Sequence, residues 1–263
     1  MITFAAIAPH SPILLPTIGK EHQKKLAKTL ASYKMLEEDM YAAKPDAALI
    51  LSPHGSILPD AFALLISPTY RANLKEFGDF STALEFRAEL TLIERIRQLR
   101  LQNEAVPVVG VTDEFCDYGV SVPLYFLAQH LPNLRIVPMS NSELPLTMHF
   151  QTGQRIGNVL QKSKNRVAVI ASADLAHTLT DAAPGGFSPE GKKFDETVVQ
   201  ALRKNDYEKI MALDKQMIAA KACGLRVIVM LLGMLDGFNC TAEPLSYEGP
   251  FGVGYLAARF NLR

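Results

Sequence analysis

Three apolar runs, Ile2–Ala8, residues 47–51 and Val167–Ser172, carry no alternation of polar and apolar side chains. A strand with one wet face alternates, so runs like these belong to strands covered on both faces. Helical stretches separate them. Residues 21–43 contain no Gly or Pro, and Lys44-Pro45-Asp46 stops them before the second run, which reads as a β-loop-α-β unit with a right-handed crossover.

The alternation continues along the chain. Strands are expected at 61–66, 106–109, 135–138, 242–247 and 252–260. Helices are expected at 84–101, 122–130, Leu146–Gln161, 188–203, 206–211 and 223–235. In the first of these, Leu84, Ala88, Leu92, Ile96 and Leu99 fall at helical spacing. The whole reads as an α/β fold, a single domain over residues 1–263 with a mixed, mostly parallel sheet flanked by helices on both faces. No repeat or low-complexity tract interrupts it, and the loosest stretch is 178–189.

Of the 263 residues, 48% are hydrophobic and 21% charged, enough to bury one sizeable core. The 27 basic and 27 acidic residues cancel, so no net field draws nucleic acid or an anionic membrane. A small molecule is the expected partner. No apolar run reaches the ~20 residues of a membrane span. Met1-Ile2-Thr3-Phe4 runs straight into a strand without the basic start of a signal peptide, and three widely spaced cysteines make no disulfide framework. These features point to the cytoplasm.

Two runs end in a histidine: Ala8-Pro9-His10-Ser11-Pro12 and Leu51-Ser52-Pro53-His54-Gly55. The carboxyl edge of an open α/β sheet is where metals and small molecules bind, which makes His10 and His54 candidate ligands. Alternatively each is a loop histidine bonded to nearby backbone. The third run ends in Ser172-Ala173-Asp174-Leu175-Ala176-His177, where Asp174 either orients the His177 ring for acid–base work or caps the following turn. Cys223 precedes the apolar helix with Lys221 and Arg226 close in sequence; that context favours a thiolate, a metal ligand or nucleophile, and the alternative is a small core residue. Cys116 and Cys240 lack such a context. His22, His130 and His149 fall on helices or their edges and read as surface or satisfied histidines.

In order and spacing these pieces resemble the superfamily of the class III extradiol ring-cleavage dioxygenase catalytic subunits and the Memo proteins. The resemblance spans nearly the whole chain. It rests on Ala8-Pro9-His10, Pro53-His54-Gly55, Asp117-Tyr118-Gly119-Val120-Ser121-Val122-Pro123-Leu124, Ser172 to His177, Cys223-Gly224 and Ser246-Tyr247-Glu248-Gly249-Pro250-Phe251-Gly252-Val253-Gly254-Tyr255. Within the superfamily it is nearest to the dioxygenase-like domain often fused to an AMMECR-type domain, for which the end at Arg263 leaves no room.

The resemblance implies a non-heme, metal-dependent oxidoreductase that opens a small catecholic or related aromatic substrate with O₂. It assigns metal ligation to His10 and His54 and the acid/base to His177. Where the dioxygenases have a ligating glutamate, Cys223 stands, as in the Memo pattern, and Glu248 is the other candidate. Fe(II) is the expected metal, with Zn(II) or Cu(I) suited to a thiolate. Tyr118 occupies the place of a histidine found in many ring-cleaving members and can donate a hydrogen bond there. A Memo-like metal-binding or interaction protein without ring cleavage, or a zinc hydrolase, is the alternative. Apolar positions near Phe126 and Leu127 could support a homo-oligomer.

Overall fold

The computed structural model describes residues 1–101 and 106–263. Among these, the strands are β1 (Ile2–Ala8), β2 (Ala47–Ser52), β3 (Phe62–Leu65), β4 (Thr69–Ala72), β5 (Glu85–Ala88), β6 (Val108–Val111), β7 (Phe115–Cys116), β8 (Arg135–Ser140), β9 (Val167–Ser172), β10 (Cys240–Glu248) and β11 (Tyr255–Leu262). The helices are α1 (Pro16–Gly19), α2 (Ala27–Ala43), α3 (Leu90–Arg97), α4 (Tyr118–Leu127), α5 (Leu146–Gln161), α6 (Pro189–Lys204), α7 (Tyr207–Met211), α8 (Asp214–Ala220) and α9 (Leu225–Met234).

The strands form one mixed, mostly parallel sheet in the order β10-β11-β1-β9-β2-β8-β5-β4-β7, with β3 against β8 and β6 against β3. Its centre is the parallel set β1-β9-β2-β8, and every residue of β2 and β9 is buried, as their unbroken apolar runs require. Helices flank both faces: α2 and α4 pack together over β1 and β2, while α5 and α9 pack together over β9. Ala8 lies level with Ser172, Leu51 with Ala171, and Ser52 with Ser140. The four central strands therefore end along one line, and the residues just past them share one edge.

Several expected elements differ in extent. The helix expected at 84–101 is split: Glu85–Ala88 is strand β5, antiparallel to β4 and parallel to β8, and the helix begins at Leu90 and gives way to 3₁₀ turns over Gln98–Leu101. Glu89 marks the junction. Its carboxylate is buried against Arg135 at 3.1 Å and its amide donates to Ile136 O, so the backbone is held in the sheet until that point. The helix expected at 21–43 becomes α-helical only at Ala27, after 3₁₀ turns over Lys20–Leu26. Its first-turn amide at Thr29 donates to Glu248 Oε1 at 2.8 Å, a cap supplied from the far end of the chain.

Helix α4 starts four residues earlier than expected because Asp117 caps it, accepting from Gly119 N at 2.7 Å. Strands β4 and β7 and helix α8 were not expected at all; each is short and leans on its neighbours. The apolar positions at Phe126 and Leu127 are not a free surface. Leu127 is fully buried and Phe126 packs on Tyr33, ring centroids 4.5 Å apart. No helix among the described residues is long and apolar enough to cross a membrane.

Candidate metal centre

His10 lies two residues past β1 and His54 two residues past β2, with β9 between those strands. Their Nε2 atoms face each other at 2.9 Å, with the rings nearly perpendicular. His10 is fixed at its other nitrogen, where Nδ1 meets Ser172 Oγ at 2.9 Å; such a contact commits Nε2 to the site. Its amide donates to Asp174 Oδ1 at 3.0 Å. His54 is held through its backbone, whose amide donates to Ser52 Oγ at 3.1 Å, and Ser52 in turn donates to Asp117 Oδ1 at 2.6 Å.

Cys223 completes the cluster from the start of α9. Its Sγ is 3.5 Å from His10 Nε2, and one ligand atom from each of His10, His54 and Cys223 lies within 4.8 Å of the others. Close packing brings it there: Gly224 lies so near Ala173 and the Asp174 carbonyl that a Cβ would collide with both, and its amide donates to Asp174 O at 2.9 Å. Glu248 is elsewhere. Its carboxylate caps α2 through Thr29 N and Thr29 Oγ1, at 2.8 and 2.7 Å.

Electrostatics of the site follow from burial. Burial, then charge at His177, lowers His10 to a pKa of about 3; burial, then His10 and His177, does the same to His54. Both rings are neutral at physiological pH, the state in which imidazole ligates. The thiol of Cys223 behaves against expectation: burial first, then the Asp174 carboxylate, pushes it well up. Lys221 spends its Nζ on Gly185 O, at 3.1 Å, and not on the thiol. In the absence of an ion the residue is a thiol, and a metal must displace its proton.

Asp174 does not hydrogen-bond the His177 ring. Its carboxylate is turned to His10, holding the amide and standing 3.7 Å from Nε2, where the backbone past β9 donates from Ala173 N to Ala8 O and bridges from Asp174 to Tyr255. Burial raises Asp174 to about 7, opposed by His177 and by the His10 amide. The His177 ring is half-buried and is positioned by its own backbone, Nδ1 lying 3.0 Å from Leu175 O. Tyr118 stacks on His54 with centroids 4.3 Å apart and meets His10 edge-on at 5.7 Å. Burial, then Cys223 and Asp174, raises its phenol well above the usual range, so it stays a donor.

The donor set suits a metal ion. Bonds of ~2.1 Å to nitrogen and ~2.3 Å to sulfur at tetrahedral angles separate the donors by ~3.4 Å (N···N) and ~3.6 Å (N···S). The His10–Cys223 separation of 3.5 Å matches the second, the two Nε2 atoms at 2.9 Å stand about half an ångström closer than the first, and all three donor atoms lie within 4.8 Å of one another. Sequence reasoning missed the residues behind the donors, Ser172, Ser52 and Asp117. One signal was available: β2, β8 and β9 each end in serine, at Ser52, Ser140 and Ser172. A cavity of about 280 Å³ opens beside His54, walled by Ser56, Asn73, Glu76, Asp113, Asp117 and Ser140 among others.

Residues 4–258 match the family model described as the catalytic LigB subunit of aromatic ring-opening dioxygenase. The chain belongs to the LigB family. Protein CA_C1420 of Clostridium acetobutylicum is 30% identical to this chain over 259 residues. The alignment covers 95% of this chain and 55% of the relative, so the chain spans about half the relative's length. The crystal structure of the uncharacterized protein JW3007 from Escherichia coli K12 superposes with a TM-score of 0.68 at 14% identity, covering 98% of this chain and 99% of that one. That likeness is one of fold. The LigB match runs from within β1 into β11 and so includes all three donors of the cluster.

Proposed function

We propose that this LigB protein is a non-heme, metal-dependent oxidoreductase of the extradiol ring-cleavage type, acting on a small catecholic substrate with O₂, and that His10, His54 and Cys223 hold its metal. The observation that carries the reading is the convergence of these three donors within 4.8 Å at the sheet edge. Fe(II) is the first candidate and Zn(II) or Cu(I) the next. When bound, such an ion supplies the place where a catechol's oxygens and O₂ are held together.

The remaining work falls to the chain. His177, tied at Nδ1 to Leu175 O, presents its other nitrogen to take a phenolic proton and return it later. Asp174 places His10 and contributes a carboxylate close to the donors. Tyr118 stays protonated, so it donates a hydrogen bond. The cavity beside His54 has room for one aromatic ring, and among the described residues no Lys or Arg lines it; its carboxyl groups disfavour a substrate that carries its own carboxylate. Free Cys116, Cys223 and Cys240 suit the reducing cytoplasm.

Metal analysis of anaerobically purified protein, followed by oxygen uptake with a panel of neutral, amino- and carboxyl-substituted catechols, tests the reading. One equivalent of iron and uptake with the first two classes support it. His177→Ala is expected to keep the metal and slow turnover by roughly 10²- to 10⁴-fold. A bound metal with no uptake on any catechol gives the Memo-like reading instead, which the thiol in place of a carboxylate ligand favours.

A further inference from the structure

We infer that Asp195 and Tyr247, outside the donor cluster, form a buried clamp that positions His177. The inference rests on the acid–base reading of that histidine.

Consider where the backbone amides of the 175–177 segment go. Leu175 N donates to Gly254 O at 2.8 Å and His177 N donates to Ala220 O at 3.0 Å. Between them, Ala176 N donates to the side chain of Asp195, at 2.9 Å from Oδ1. Asp195 comes from α6 and is fully buried. Its other oxygen accepts from Tyr247 OH on β10 at 2.7 Å, and no Lys, Arg or His pairs with it among the described residues. Gly254 leaves the space this needs, since a Cβ there would collide with Oδ2, and its own amide donates to Ala176 O at 2.8 Å. Ala176 is thus gripped at both its N–H and its C=O.

A buried carboxylate without a cation is costly, and satisfying one amide does not require a charge. What the carboxylate adds is two fixed points, one on each oxygen, that tie α6 and β10 to a single peptide. That peptide, which joins Leu175 to Ala176, also carries Leu175 O, the atom to which the His177 ring is anchored. Freeing the Ala176 N–H lets the 175–177 backbone rotate, and the ring anchor rotates with it. Displacements of about 1 Å from a productive geometry can cost 10²-fold in rate. Asp195 and Tyr247 are accordingly positioning residues that act through the backbone.

The test uses the metal-loaded full chain with Asp195→Ala, Asp195→Asn and Tyr247→Phe. Asparagine keeps an acceptor for Ala176 N–H and an N–H for the tyrosine oxygen. For Asp195→Ala we expect a roughly 10²-fold fall in kcat at unchanged KM and metal content. We also expect faster amide exchange at Ala176 and a shifted His177 ring signal by NMR; Asp195→Asn should restore all three. In a His177→Ala background Asp195→Ala should lower kcat no further, because the two substitutions remove one function. Tyr247→Phe, which keeps the amide bond, should show the same ring shift in milder form and serves if Asp195→Ala does not fold. A lowered melting temperature with His177 signals unchanged would overturn the inference, as would an Asn variant as damaged as Ala. If turnover does not depend on His177, the acid–base reading fails by itself, and the ring signal still decides whether the clamp exists.

Discussion

Two buried histidines sit at the carboxyl edge of this sheet and look alike by every local measure. His10 follows β1 and His149 lies in the first turn of α5 after β8; both are almost wholly buried, and burial lowers both pKa values, to about 3 and about 4. They differ in where the two ring nitrogens point. His149 spends both on its own surroundings, Nδ1 against Pro145 O at 3.1 Å and Nε2 accepting from Ser142 N at 3.3 Å. His10 spends one on Ser172 and turns the other to His54, Cys223 and Asp174. Burial and a depressed pKa therefore do not mark a site; a nitrogen left facing other side-chain donors does.

The largest test of this contrast is the pair His10→Gln and His149→Gln. Sharing the ~10–16 kcal/mol of a four-ligand zinc site among its ligands gives ~3 kcal/mol each. His10→Gln should thus weaken metal binding by roughly 10²-fold in competition titrations, and His149→Gln should leave it unchanged. Comparable losses from both would erase the distinction.

His149 instead shows itself in acid. Its folded pKa of about 4 lies below the unfolded value of 6.5, so the unfolded chain takes up the proton first as pH falls. Stability is complete above pH 6.5 and declines toward pH 4, by about 3 kcal/mol at most for this one group. In the metal-free protein His10 and His54 act in the same direction. Urea unfolding of metal-free His149→Gln between pH 7 and 4 should show a slope reduced by about one proton; an unchanged slope removes His149 from the account.

Proton release on metal binding sharpens the other side. With both imidazoles already neutral, the Cys223 thiol is the donor that must lose a proton, so affinity should rise about tenfold per pH unit between pH 8 and 9, above the range in which Asp174 titrates. Calorimetry in buffers of different ionisation enthalpy should count about one proton, and none in Cys223→Ser. Smallest is Ser172→Ala, which frees His10 Nδ1 and should cost about tenfold in affinity, the low end for a lost orienting contact.

Much of this was legible in the residues themselves. Unalternating runs named β1, β2 and β9 to within a residue, and Leu146–Gln161 was delimited as a helix by its own sequence. The histidines at the strand ends, His10 and His54, and the Cys223 beside them were also visible as candidates. These features are local, set by side-chain period and by what can follow a buried strand.

Other features were decided only when distant parts met. The insertion of β9 between β1 and β2 puts Ser172 and Asp174 against His10, more than 160 residues away in sequence. Glu248 became a cap for α2 and not a ligand, Glu85–Ala88 became a strand, and burial kept Cys223 protonated despite two nearby basic residues in the sequence. Hydrogen-bond partners, strand order and dielectric surroundings depend on which elements pack together, and a one-dimensional pattern holds no record of that. What the sequence alone determined was the strands and the candidate donors; which nitrogen, oxygen or sulfur of each was left facing the centre was set by tertiary packing, because a buried polar atom must find its partner among whatever the fold brings near.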